Sequence, residues 1–495
     1  MQSPICFAPE YRKNLSTRAG NPSRFSFHPR SNNSFLRRFP RSLSLSMART
    51  STGSGFIPAL SGLIPGLSGL ISALSGLIPA LFFVFGLMGM LFGPKPLQAE
   101  CGDCSMGMRN HMKLEHTVTL PEEAPFVRIS LYHANPPSQV TLIMTGSSGI
   151  LWFGNKVVPV SEDRVLEIQP DPGGVRVSLL KSDTETLQTF QTSAFEIESH
   201  QPEGMLKVVT PEHGYRNYQG RIGVSSRSGP SLMLINTLPL EDYVGSVVGS
   251  EMQSEEFEAL KAQAVIARTY ALRMMQRDGY DAYDMTDDEQ YQVYRGVHLG
   301  KPYYRVAAEE TRSQVLSWSG QMILTPFFST CGGSTSHNED VWVGKPEPYL
   351  RAAKDQAVCR ISPHFAWSLE LERSRIDGWV FERYGIRPDL QGIRFSQDEG
   401  GRVKQVILTG GGRELRVSGN DFRLMVNERL HPLAMKSTRF DWTESEGVVS
   451  VEGTGLGHGV GMCQYGAIAL AGSGWAYEDI LRFYFRGTNV VSFAL

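Results

Sequence analysis

Between residues 105 and 235 apolar and polar positions alternate with a period of two, the spacing of half-buried strands. Segments 127–132, 140–144, 165–168, 175–180, 195–197 and 206–209 are rich in β-branched residues and read as strands. Turn signals, Asn135-Pro-Pro137 and Pro172-Gly-Gly174, separate them. The period then changes. Phe257, Leu260, Ala264, Ala267 and Ala271 recur at helical spacing and predict a helix near 254–277, with others near 374–384 and 476–485. Strands return between 367 and 450, notably Val403-Lys-Gln-Val-Ile-Leu408. The fold class is α+β: a β-rich N-terminal region over 100–225 followed by a mixed α+β domain over 226–495.

The first hundred residues follow neither period. Residues 1–50 are rich in Arg, Ser, Asn and Pro, with Glu10 the only acid. Such a segment builds no core and is expected to be disordered, or to be a misassigned start preceding Met47. Residues 51–93 carry no charge and repeat Ser-Gly-Leu-Ile at 61, 68 and 75. An apolar run longer than about 18 residues reads as membrane-inserting. Basic residues precede it and Leu97-Gln-Ala99 follows as a small-residue cleavage site, so 51–99 is a signal peptide or, given its length, a membrane anchor. Either exports the remainder. Cys101 and Cys104 then form a disulfide or a weak metal site. The net charge of -2 is near neutral and indicates no basic surface of the nucleic-acid-binding type.

Candidate chemistry concentrates in three blocks. The first runs Leu238-Pro-Leu-Glu-Asp-Tyr-Val-Gly-Ser-Val-Val-Gly-Ser-Glu-Met252 into the alanine-rich helix. Val247-Val248 reads as a strand end, Ser254 as a helix cap, and Glu251 as a carboxylate at the junction, outside the helix. Enclosed by Val248 and Met252, such a carboxylate would be desolvated and able to donate a proton. The bland alternative is one more acid near a helix N-terminus. The second block is Gln292-Val-Tyr-Arg-Gly296, Phe328-Ser-Thr-Cys-Gly-Gly-Ser-Thr335 and Glu339-Asp-Val-Trp342. The third is Gly455-Leu-Gly-His-Gly-Val-Gly-Met-Cys-Gln-Tyr-Gly-Ala467. Its alternate glycines allow close approach to a ligand or to another backbone. A nucleotide loop is excluded, because no ribose-binding acid follows a strand–turn–helix.

In order and spacing, over roughly residues 210–495, these blocks resemble the stage II sporulation protein D / LytB amidase-enhancer family. The resemblance implies a lytic transglycosylase acting on bacterial cell-wall glycan strands, with Glu251 of Ser-Glu-Met as its single catalytic acid and base. The acid protonates the glycosidic oxygen between MurNAc and GlcNAc, and the C6 hydroxyl of that MurNAc closes a 1,6-anhydro ring. The family name also covers non-catalytic amidase enhancers, which bind glycan and stimulate a separate cell-wall amidase. An ordinary hydrolase would need a second carboxylate, Glu339 or Asp340. This chain departs from the family pattern at Gln253, where proline is common, and at Cys463, where serine is usual.

The three blocks are expected to meet around one cleft, because short polar, glycine-flanked loops are commonly ligand-facing. Ser329, Thr330, Cys331, Gly332, Gly333, His458, Gln464 and Tyr465 are the expected glycan contacts. The hydroxyls of Ser329, Thr330 and Thr335 serve either sugar contacts or turn bonds, and His458 either orients Glu251 or is structural. No cofactor is called for. Cys331 reads first as a buried cysteine in a glycine turn. Zinc is a second reading, with ligands from the two close pairs Cys331/His337 and His458/Cys463. A Cys331 nucleophile with His458 as base is a third.

Overall fold

The computed structural model describes residues 125–492, apart from 163, 182–184, 228, 278–281 and 387–389. The expectations for residues 1–50, 51–99 and Cys101/Cys104 lie outside the described residues. Among the described residues no helix is long and apolar enough to cross a membrane.

The fold is mixed α+β. Two antiparallel arrays carry the first half. A seven-stranded sheet runs Met285–Thr286, Phe126–Leu131, Leu232–Pro239, Arg221–Ser226, Ala194–Ser199, Gly149–Phe153, Lys156–Val160. Only its two-residue edge strand is parallel to its neighbour. A six-stranded sheet runs Gly214–Tyr218, Met205–Thr210, Val140–Thr145, Val165–Asp171, Gly174–Leu180, Thr186–Thr192. The period-two pattern has its physical counterpart here: Leu232–Pro239 alternates buried and half-buried residues without a break. Apolar residues of both sheets, such as Val140, Leu142, Ile197 and Ile222, share one core.

Eight α-helices are described: α1 (Leu240–Glu251), α2 (Phe257–Met275), α3 (Tyr303–Glu310), α4 (Asn338–Val341), α5 (Arg373–Tyr384), α6 (Gly419–Arg429), α7 (Gln464–Gly472) and α8 (Tyr477–Tyr484). Helix α2 is the central rod. Ala259, Ala262, Ala264, Ala267 and Ala271 are all fully buried along it, and their small side chains let neighbouring elements approach closely. Residues 366–454 build a second core, in which Trp367, Trp379, Phe422 and Phe440 pack between two three-stranded sheets and helices α5 and α6.

Helix α1 corrects the reading of Val247-Val248 as a strand end. Both are fully buried inside the helix, and of its residues only Asp242 and Ser250 are not buried. A helix enclosed on nearly all sides shows no amphipathic period, so β-branching was the only local signal. Burying a valine is worth about 1.5–3 kcal/mol. A β-branched residue in a helix costs at most about 0.7 kcal/mol, so packing wins. Glu251 is therefore the last residue of α1, not a linker residue before α2.

Candidate active site

Val293 and Gln464 are among the neighbours that hold Glu251 in place. Its side chain is 5% exposed. The backbone N–H of Val293 donates to its Oε1 at 2.6 Å. The side-chain amide of Gln464 donates to its main-chain carbonyl at 3.0 Å. Val293 belongs to Gln292-Val-Tyr-Arg-Gly296, which lies along α1 and is bonded to this part of the core throughout. Tyr243 donates to Gln292 Oε1 at 3.1 Å, Tyr294 donates to Asn236 Oδ1 at 2.6 Å, and Ser246 donates to the carbonyl of Gly296. The second block thus supplies the donor that meets the acid.

At the other end of α1, Glu241 accepts from Arg268 of α2 at 2.9 and 2.5 Å, with Arg268 fully buried. This pair welds the two helices together. Beside the C-terminal turn of α1, a β-carbon on Gly249 would lie 2.5 Å from the Tyr304 ring and 2.6 Å from His298. His298 Nε2 in turn lies 3.0 Å from Ser250 Oγ.

The glycine-rich third block packs closely on the 326–330 segment and on Arg402. Gly455, Gly457, Gly459 and Gly461 all have positive φ. A β-carbon would meet the Thr330 carbonyl at Gly455, Phe328 at Gly457, the Arg402 guanidinium at Gly459 and the Pro326 carbonyl at Gly461. His458 is buried between Phe328 and Trp342, with ring centroids 5.2 and 5.0 Å away. Its Nε2 bonds the Phe327 carbonyl at 3.0 Å and its Nδ1 accepts from Val460 N–H at 3.1 Å. Burial pushes its pKa down to about 3, so the ring is neutral with the proton on Nε2. With both nitrogens engaged, it is neither a base for Cys331 nor a metal ligand. Buried Arg402, 2.8 Å from the Cys331 carbonyl, ties the third block to the second.

Of the expected glycan contacts, Ser329 and Thr330 are buried and bonded internally, Ser329 Oγ to Thr330 Oγ1 at 3.1 Å and Thr330 Oγ1 to Ser362 Oγ at 2.7 Å. Thr335 accepts from Ala353 N–H at 2.8 Å. Tyr465 is half-buried, its N–H donating to the Ser329 carbonyl at 3.0 Å, and burial raises its phenol pKa. Gly332 and Gly333 line an open groove of about 910 Å³, together with Gln356 and Ala357 and with Trp367 and Arg439 from the edge of the second core. Glu251 is not among the residues lining it.

Cys331 is fully buried, and the zinc set expected from Cys/His pairs is not what surrounds it. His337 instead accepts from Ala352 N–H at 3.3 Å. Cys331 Sγ lies 3.4 Å from Cys359 Sγ and 2.9 Å from Asp355 Oδ2, and Cys463 Sγ accepts from Cys331 N–H at 3.2 Å. Burial pushes the Cys331 and Cys463 thiols up, while sulfhydryl bonds from those two draw Cys359 down. Asp355 and Cys359 lie outside all three sequence blocks, as does Arg402. The acids a hydrolase would need are already paired: Glu339 with Arg351 at 2.5 Å and Asp340 with Lys404 at 2.5 Å. The Arg351 bond holds the Glu339 carboxyl below its usual range.

Residues 228–318 match the stage II sporulation protein (SpoIID) family. The chain is 30% identical over 275 residues to stage II sporulation protein D of Bacillus subtilis, covering 52% of this chain and 75% of that protein. It is 31% identical over 267 residues to an uncharacterized protein of Brachyspira hyodysenteriae, covering 53% of this chain and 69% of the other. It is also 27% identical over 297 residues to the amidase enhancer of Bacillus subtilis, covering 50% of this chain and 40% of that protein.

Proposed function

Because the chain belongs to the stage II sporulation protein D family, we propose that it is an exported lytic transglycosylase of the bacterial cell envelope, acting on peptidoglycan glycan strands. Residues 51–99 carry it out of the cytoplasm or anchor it in the membrane. Glu251 is the single acid and base. Its proton goes to the glycosidic oxygen as the bond from MurNAc C1 to that oxygen breaks. The MurNAc C6 hydroxyl then bonds to C1 and returns its proton to Glu251, so no water is consumed.

The observation that carries this reading is the setting of Glu251: a buried carboxyl at the end of α1, met by the Val293 N–H. It lies inside the segment that matches the family. The pairing of Glu339 and Asp340 with cations supports a one-carboxyl mechanism over a two-carboxyl hydrolase.

A second reading is a non-catalytic enhancer that binds glycan and stimulates a cell-wall amidase. It is favoured by the relative of that name and by the low exposure of Glu251, which is not among the residues lining the groove. The variant Glu251→Gln separates the two. For the enzyme, it keeps the fold and glycan binding and loses about 10²–10⁴-fold in release of anhydro-ended muropeptides. Substantial anhydro product from a folded Gln variant contradicts the assignment.

A further inference from the structure

We infer that Cys331, Cys359, Cys463 and Asp355 form a closed four-ligand site for one thiophilic divalent cation, zinc above all. The four are buried, and one ligand atom from each lies within 4.8 Å of the others. Zinc–sulfur bonds of about 2.3 Å in a tetrahedron place ligands about 3.8 Å apart. The 3.4 Å and 2.9 Å separations of Cys331 Sγ from Cys359 Sγ and Asp355 Oδ2 need only a small opening to admit the ion.

The surroundings suit bound thiolates. Backbone N–H groups of Cys331 and Gly466 donate to Cys463 Sγ, and that of Gly333 donates to Cys331 Sγ, each at 3.2 Å. Donors of this kind orient metal-bound sulfur and hold it in place. Ala357 N–H meets Asp355 Oδ1 at 3.0 Å, leaving Oδ2 facing the sulfurs. Between the two ligands of that turn, Gln356 and Ala357 both take left-handed backbone conformations, φ 51° and 62°. Such a conformation is strained for a residue with a side chain and persists only where its surroundings over-determine it. Ligation of Asp355 and Cys359 to one ion supplies that constraint.

Four protein ligands leave no open position, so the ion is structural and not a Lewis acid for substrate. It would fasten three chain segments at one point: the loop at Cys331, the 355–359 turn and the start of α7. Gly332, Gly333, Gln356 and Ala357 line the groove immediately beside these ligands. Gln464, next to Cys463, holds the Glu251 carbonyl. The site therefore braces both the groove floor and the acid, and it stands whichever activity the protein has.

The test uses the full chain, purified without chelator or metal-affinity resin and then incubated with zinc and desalted. Plasma mass spectrometry is expected to find one zinc per chain. Affinity, measured by competition with a chromophoric chelator, should fall at least about tenfold in Cys359→Ser and Asp355→Asn and stay unchanged in His337→Ala. Cobalt substituted into the wild-type chain should give the intense thiolate-to-metal charge-transfer band with tetrahedral visible bands. If the cysteine variants do not fold, the cobalt spectrum decides alone. A wild-type chain that retains no zinc, a cobalt spectrum without the thiolate band, or a Cys331–Cys359 disulfide in the peptide map overturns the site.

Discussion

The two ends of α1 carry the same side chain in opposite settings. Glu241, 8% exposed, opens the helix and is bound two-pronged by the guanidinium of Arg268, with Ser313 N–H at 3.4 Å. Arg268 also donates to the carbonyls of Ala308 at 2.9 Å and Gln314 at 3.1 Å, so the pair is saturated and joins several elements. Glu251, 5% exposed, closes the helix and receives a neutral backbone donor from Val293. The N-terminal end of a helix favours an anion and the C-terminal end disfavours one. Burial alone therefore does not mark a catalytic acid. What distinguishes the ends is the contact at each: a guanidinium grips the Glu241 carboxylate, and a backbone N–H from the second sequence block meets Glu251 Oε1.

Removing each carboxyl in turn should give opposite losses. Glu251→Gln should leave the melting temperature nearly unchanged and cost about 10²–10⁴-fold in turnover. Glu241→Gln should do the reverse. It strands a buried guanidinium, which costs about 3–5 kcal/mol of stability, while the molecules that stay folded keep their turnover. Thermal melts read beside product release would show the crossed pattern; a Glu241→Gln protein that is stable but inactive breaks it.

Next in size is acid sensitivity through His458. The unfolded chain takes up this proton near the ordinary value of 6.5, the folded chain only near about 3. Protons are bound preferentially by the unfolded state between those values. Stability is thus complete above the upper value and falls with pH through the window by about 1.4 kcal/mol per unit. Denaturant titrations from pH 7 to pH 4 should show a shallower slope in His458→Gln; an unchanged slope would mean the ring is not held neutral. The smallest effect is at Gly249, which packs against Tyr304 and His298. Gly249→Ala should cost about 1–3 kcal/mol through overpacking, and a neutral melt would show that those rings move aside freely.

Much of this was legible in sequence. The strands at 140–144, 165–168 and 175–180 announced themselves because each has one buried face, and α2, α5 and α8 lie close to their predicted spans. Helix α1 was hidden by being buried all round, which erased the helical period. The glycines of 455–461 were open to two readings, and the contacts of Gly455 and Gly461 with the Thr330 and Pro326 carbonyls select backbone against backbone. The Arg268–Glu241 pair and the convergence of Asp355, Cys359 and Cys463 are long-range events with no local period. For the cysteines a weak signal existed: a third one, Cys359, stands in the same half of the chain as Cys331 and Cys463. Cys359 stands outside the three motif blocks, so the Cys331/His337 and His458/Cys463 pairs do not include it.

The contrast between the two glutamates matters for function only if Glu251 does chemistry, and the ends of the product chains report that directly. Purified glycan strands, with and without stem peptides, would be incubated with the wild-type protein and their new ends identified by mass spectrometry. If Glu251 is the single acid and base, the new ends are 1,6-anhydro-MurNAc, made without incorporation of solvent oxygen. New reducing ends, or no new ends from folded protein that nonetheless stimulates an amidase, would rule that role out.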